Sequence, residues 1–286
     1  SDVCSSDLVG LTDEQMRQLT TDMVWMVSQD VTLPDGTTQS VLVPKVYLAQ
    51  GNGVDLNATG ALVAGNTVAI NATGNVENSG SIVGDIATQV LGGNIVNRGS
   101  IGGAGTTVVQ ATQDVRNLGG RIGGQDVVVA AGRDIVNESQ TITNTTTLAN
   151  GNSASATGIG AVASISGTNN VALLAGRDID MAGGTVDAGS NALLAAGRDI
   201  HLGTVATGTT QDATAHDGQD YLRDRTVVNV GSTVQAGQGV TAVAGRDMTL
   251  TNANVQSGDS TTLVAGQNVA IVNATDTHTQ IGRAHV

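Results

Sequence analysis

The chain runs to 286 residues, 40% of them hydrophobic, with 39 Gly, two Pro, one Trp, two Tyr and no Phe. A core without rings has to be built from Val, Ile, Leu and Ala, which suits thin layers stacked on a pleated backbone. The formal charge of −13, with 25 acids and 12 bases spread along the chain, argues against a nucleic-acid partner, which needs clustered Lys and Arg; no apolar run approaches the roughly 18 residues of a membrane span.

Cys4 is the single cysteine, so no disulfide framework exists within the chain. The opening SDVCSSDL and closing IGRAHV are similar to peptides translated from sequencing-adapter DNA. Residues 1–8 and 281–286 are therefore expected to be non-native tails around an interior piece of a longer protein. In the N-terminal region, residues 9–50, LTDEQMRQLTTDMVWMVSQD at 11–30 predicts a short α-helix over 12–28. Thr12 and Gln15 form a capping box, and Met16, Leu19, Met23 and Met26 or Val27 share one stripe. Next, VTLPDGTTQSVLV at 31–43 predicts a hairpin turning at Pro34-Asp35-Gly36.

From residue 51 to 280 repetition dominates. The phrase AGRD plus an apolar residue recurs at Ala131–Ile135, Ala175–Ile179, Ala196–Ile200 and Ala244–Met248, with relatives AGNTV at Ala64–Val68 and AGQNV at Ala265–Val269. Gly176 and Gly197 lie 21 apart, as do Gly245 and Gly266, whereas Gly132 to Gly176 is 44 and Gly197 to Gly245 is 48. A second family places Asn78, Asn97, Asn117 and Asn137 at steps of 19, 20 and 20. Because Asn137 follows Gly132 by five, both families share one register of about 20 residues.

Around each repeat glycine the apolar positions alternate, as in Val171, Leu173 and Ala175, then Ile179 and Met181; period two means strands. Two or three short strands per unit, broken at Gly132, Gly176, Gly197, Gly245 and Gly266, predict an all-β fold, a right-handed parallel β-helix with about 20 residues per coil. Glycine is expected at these bends for its freedom of dihedral angle. The competing leucine-rich repeat lacks its Leu and Asn signature. Insertions near 139–168 and 204–238 interrupt the rhythm and are expected to protrude as loops or hairpins with no single conformation.

A motif present in every copy is a strut, since catalysis needs one constellation with distinct environments. The repeated Arg and Asp are therefore expected to offset each other at an exposed bend. The position five after the repeat glycine is inward, held by Met181, Leu202, Leu250 and Ile271 in later coils. Asn78, Asn97, Asn117 and Asn137 there are expected to form a buried amide ladder, the alternative being solvent-facing Asn at a left-handed bend. The four histidines lack ligand-like spacing, so neither a metal nor another cofactor is expected. GGAGTTVVQ at 102–110 lacks the Asp of a calcium-binding nonapeptide. An enzymatic alternative, a β-helical carbohydrate-active enzyme, would have to use Asp212, Asp217, Asp220 and Asp224 in the second insertion. A purely adhesive or ice-binding surface would need Thr on every coil, and the Thr-rich run at 141–147 occurs once.

The AGRDI phrase at this spacing resembles the haemagglutinin repeat of filamentous-haemagglutinin-like exoproteins, the large secreted partners of bacterial two-partner secretion. LTDEQMRQLTTDMVWMVSQDVTLPDGTTQSVLVPKVY, beginning at residue 11, resembles the segment that introduces the second repeat region of contact-dependent growth inhibition effectors, the CdiA-like proteins. The resemblance covers about residues 11–275. It implies a secreted, bacterial cell-surface filament, exported by an outer-membrane two-partner transporter and contacting the target cell's surface or outer membrane. In that setting this stretch is expected to act as a structural stalk and toxin-delivery segment in contact-dependent growth inhibition or adhesion, without enzymatic activity or a small-molecule substrate.

Overall fold

The computed structural model describes residues 60–215 and 220–283, together with the backbone of Met23–Thr32 and Thr38–Tyr47. The chain divides into two units, residues 1–59 and 60–286. In the first, Met23–Thr32 pairs antiparallel with Thr38–Tyr47, from Met23 opposite Tyr47 to Thr32 opposite Thr38. These strands flank the expected Pro34-Asp35-Gly36 turn, which itself lies outside the described residues. The helix expected over 12–28 is corrected where it can be seen, because Met23 onward is strand. Its β-branched and aromatic residues, Val24, Trp25, Val27 and Val31, favour a pleated surface, and a paired partner strand outweighs the weak helical stripe. Residues 11–22 and the tail at 1–8 lie outside the described residues.

The second unit is a parallel β-helix in which most coils contribute three strands; in the first two coils Leu62–Asn71 and Ser81–Gly92 each run as a single strand. One coil runs Arg121–Gly124, Val127–Ala131 and Ile135–Glu138; we call these positions faces 1, 2 and 3. On face 1 the strands Ser100–Gly102, Arg121–Gly124, Ser164–Gly167, Thr185–Ala188 and Thr233–Ala236 pair in parallel register. On face 2, Thr106–Ala111, Val127–Ala131, Val171–Ala175, Asn191–Ala196 and Gly239–Ala244 do the same. Face 3 aligns Ile135 with Val115 before it and Ile179 after it, and Ile179 with Ile200.

Alternation puts one residue in two inside, and exact stacking puts like on like. Ile101, Ile122, Ile165, Val186 and Val234 fill face 1. Val109, Val129, Leu173 and Leu194 fill face 2, and all of these are buried. Each such side chain contributes about 1.5–3 kcal/mol by leaving water. The columns of branched aliphatics interlock in a narrow interior, which is how a chain almost free of aromatics fills its core.

AGNTV at 64–68 is not a register relative of AGRD, as expected, but falls elsewhere. Ala64 and Gly65 align with Val83 and Gly84, at the bend from face 1 to face 2, whereas the AGRD glycines follow face 2. AGQNV is in register, with Ala265 on Ala244. Ile271, expected inward, is instead 71% exposed although it stacks on Leu250, because no further coil covers it among the described residues.

The insertions take the hairpin form, as antiparallel strands, and they are shorter than the expected intervals, because Ser164–Gly167 and Thr233–Ala236 already belong to face 1. Thr141–Thr147 pairs with Ser153–Ile159, whose other side takes Gly208–Asp212. That segment belongs to one long strand, Ile200–Ala215, which starts on face 3 and continues outward to pair with Asp220–Gly231. Thr277–Arg283 completes this sheet against Tyr221–Val227. We call it the wing. It includes Ile281, Gly282 and Arg283 from the expected C-terminal tail.

Candidate functional site

Three sets of side chains run from coil to coil. The first is inside face 3, where Asn78, Asn97, Asn117 and Asn137 align in register and are buried. The Nδ2 of Asn78 donates to Asn97 Oδ1, that of Asn97 to Asn117 Oδ1, and that of Asn117 to Asn137 Oδ1, each at 2.8 Å. Every amide also donates to a backbone carbonyl: Asn78 to Ser100, Asn97 to Arg121, Asn117 to Gly120 and Asn137 to Thr185.

Local sequence explains why Asn suits the end of a face-3 strand. In Asn78-Ser79-Gly80 and Asn97-Arg98-Gly99, the glycine N–H donates back to the asparagine Oδ1 at 3.1 and 3.3 Å. The side chain thereby starts the turn toward face 1 while its NH2 remains free for the stack. At Gly120 an added Cβ would stand 2.5 Å from Asn97 Nδ2 and 2.6 Å from Asn117 Oδ1, so that turn has no room for a side chain. After Asn137 the column passes to Met181, Leu202 and Leu250.

The second set lies outside, at the bend between faces 2 and 3. Each repeat arginine reaches back one coil to the aspartate of the preceding copy. Arg133 grips Asp114 through Nε at 2.9 Å and a terminal nitrogen at 2.7 Å, and Arg177 grips Asp134 at 3.0 and 2.5 Å. Arg198 holds Asp178, and Arg246 holds Asp199, in the same two-pronged way. One Oδ1 of each aspartate also accepts the backbone N–H of the next: Asp134 from Asp178 and Asp178 from Asp199. The arginine hydrogen bond holds the carboxyls of Asp114, Asp178 and Asp199 below their ordinary range, with burial opposing it. Asp180, on the outside of face 3, moves the other way because burial disfavours its charge and Asp178 repels it.

The glycines at this bend, Gly132, Gly176, Gly197, Gly245 and Gly266, follow the last residue of face 2. None has a left-handed φ, so the expected reason for glycine, dihedral freedom, is corrected. The reason is close approach: a Cβ on Gly176 would stand 2.3 Å from Gly132 O, and one on Gly197 2.3 Å from Gly176 O. Gly132, Gly245 and Gly266 meet the carbonyl of the preceding coil at 2.1–2.2 Å in the same way.

Several partners were not singled out from sequence. Asp114 begins the Arg–Asp series although its coil reads TQDV, without the motif's Gly and Arg, and Asn268 ends it by donating to Asp247 at 2.8 Å. Both stand two residues after the repeat-glycine position, a spacing that could have revealed them. Inside face 2, Thr88 and Thr107 donate to Gly102 and Gly123 carbonyls at 3.0 and 2.7 Å. Ser139 and Ser232, both buried, seal the coils where the insertions leave and return, donating to Gly183 O at 2.6 Å and Gly203 O at 2.8 Å.

The third set is the wing. Two of its acidic residues point apart: Asp212 stands opposite Arg223 and pairs with it at 3.3 Å, whereas Asp224 stands opposite Gln211, one residue out of phase and so on the other face; Asp220 stands opposite Ala215, on the face of Asp224. Asp224 lies 3.8 Å from His278, and Asp217 lies outside the described residues.

Residues 202–285 match the haemagglutinin repeat family. The chain is 31% identical over 189 residues to the tRNA nuclease CdiA of Escherichia coli O6:K15:H31, covering 63% of this chain and 6% of that protein. It is 30% identical over 182 residues to the 16S rRNA endonuclease CdiA of Enterobacter cloacae, covering 62% of this chain and 5% of that protein. With the tRNA nuclease CdiA of Yersinia mollaretii it shares 31% identity over 143 residues, 46% of this chain and 4% of that protein. The chain thus spans about one-twentieth of the length of these relatives. No solved structure matches it.

Proposed function

We propose that the chain, whose residues 202–285 match the haemagglutinin repeat and which is similar to CdiA proteins, is a stalk segment of a secreted cell-surface exoprotein, serving toxin delivery in contact-dependent growth inhibition. One observation carries this reading: the recurring residues are consumed in holding coil to coil. The motif arginines and aspartates engage each other between copies, and the asparagine amides engage each other inside. Side chains committed to a one-dimensional stack build length and stiffness, and nearest-neighbour stacking lets such a chain fold progressively after export. Export by a two-partner transporter of the outer membrane and contact with a target cell's surface belong to the same reading.

The carbohydrate-active alternative has weaker support, since Asp212 and Asp224 project from opposite faces of the wing, so that this pair does not flank one glycosidic bond. The test is an in-frame deletion of residues 60–283 in the full-length exoprotein. Donor cells should still display the flanking regions to antibody, yet fail to inhibit target cells. Undiminished inhibition would overturn the delivery role, and polysaccharide cleavage by the purified chain would revive the enzyme.

A further inference from the structure

We infer that the outer edge of the wing, Thr141–Thr147, is a pairing surface for a second copy of this chain, joining two stalks side by side through one continuous antiparallel sheet. The strand reads TITNTTT, and all seven residues are exposed. On one side it pairs with Ser153–Ile159; on the other no strand meets it among the described residues. An edge strand offers a row of free backbone N–H and C=O groups, and proteins normally blunt such edges with Lys, Pro or a bulge. This strand has none of the three, and its pairing with Ser153–Ile159 runs without a register shift. The opposite edge of the wing, Thr277–Arg283, carries His278 and Arg283.

Charge and sequence symmetry together select the occupant. In a chain of net charge −13, no Asp, Glu, Lys, Arg or His occurs between Glu138 and Arg177, so two copies meeting here bring no like charges together. The strand is also self-complementary about Asn144. Antiparallel to itself, it sets Thr141 opposite Thr147, Thr143 opposite Thr145, Ile142 opposite Thr146 and Asn144 opposite Asn144. Threonine facing threonine is a favourable cross-strand pair, and the hairpin already uses one, with the hydroxyls of Thr143 and Thr157 2.8 Å apart. A two-fold contact of this kind closes on itself and stops at a dimer. The inference stands apart from the delivery role.

The experiment uses the full chain with Cys4→Ser as background. Sedimentation should show the mass doubling as concentration rises. Asn144→Cys should give a disulfide-linked dimer on oxidation, since directly opposed residues of an antiparallel pair fall within disulfide reach. Gln211→Cys, exposed two strands inward, should not. Asn144→Lys and Asn144→Asp should each be monomeric alone and dimerise when mixed. A wild-type chain that stays monomeric at every concentration overturns the inference. So does a dimer that Asn144→Lys leaves intact, which would place the contact elsewhere.

Discussion

The inward column of face 3 is built in two ways along one molecule. From Asn78 to Asn137 it is a row of amides, each bonded to the next and to a backbone carbonyl; from Met181 through Leu202 to Leu250 it is aliphatic, with all three side chains buried. The backbone does not distinguish them, and Asn137 and Met181 are direct register partners. Parallel pairing fixes where the side chains stack, and either chemistry can fill the space. The two differ in how they tolerate loss. An apolar column depends on area and volume, so a single truncation costs what it removes and the cavity it leaves. An amide column depends on closure, so removing one member strands groups on both neighbours.

Truncation in the apolar half should have the largest effect. Leu202→Ala is expected to lose about 2–5 kcal/mol, read as a fall in the urea midpoint. In the polar half, Asn117→Ala deprives Asn97 Nδ2 of its side-chain acceptor and Asn137 Oδ1 of its donor, for a loss of about 2–4 kcal/mol. An unchanged midpoint would show that the ladder contributes nothing. Replacing all four asparagines by Leu sharpens the contrast, because both partners of each amide bond then disappear together. The cost per site should drop below that of Asn117→Leu alone, and equal costs per site would mean that the amides act independently.

A smaller effect is expected at the bend that both halves share. Gly197→Ala forces a methyl against Gly176 O and should cost about 1–3 kcal/mol. Gly158→Ala in the wing, where nothing lies within 4 Å of the added carbon, should be nearly neutral on the same measurement. The smallest expected effect is the pH dependence. Asp114, Asp178 and Asp199 have folded pKa values below their ordinary 3.8, so their ion pairs stabilise the fold above about that pH. The gain is lost as acid protonates them on the way down through their folded values. Asp180, shifted upward, acts oppositely and recovers stability as it protonates. Thermal melts between pH 6 and pH 3 should therefore fall mainly below pH 4, and Asp178→Asn should flatten that fall. The asparagine column does not titrate in this range, and Asn117→Ala should leave the shape of the profile unchanged.

Much of the β-helix is legible from spacing alone. A 20-residue period with alternation inside it demands strands stacked coil on coil, and the phase of Asn137 against Gly132 aligns the amide column with the glycine bend. Less legible is which phrase occupies which bend. AGNTV matches AGRD in composition and not in register, because glycine is required at more than one corner of the coil. The helix expected over 12–28 failed from Met23 onward because a hairpin partner at Thr38–Tyr47 supplies pairing that local periodicity cannot register.

What the sequence by itself determined is the coil: its period, its aliphatic interior and the position of the recurring Asn, Gly, Arg and Asp, since each repeats at fixed intervals and stacking turns equal intervals into columns. What only the tertiary structure decided is what passes between distant segments. It pairs Arg177 with Asp134 rather than with its own neighbour, places carbonyls where a Cβ on the repeat glycines would fall, and assembles strands from 141–159, 204–231 and 277–283 into one wing. The Arg177–Asp134 pair and the pairings that join the wing's separate segments link residues more than forty positions apart, and no local pattern encodes a partner that far along the chain.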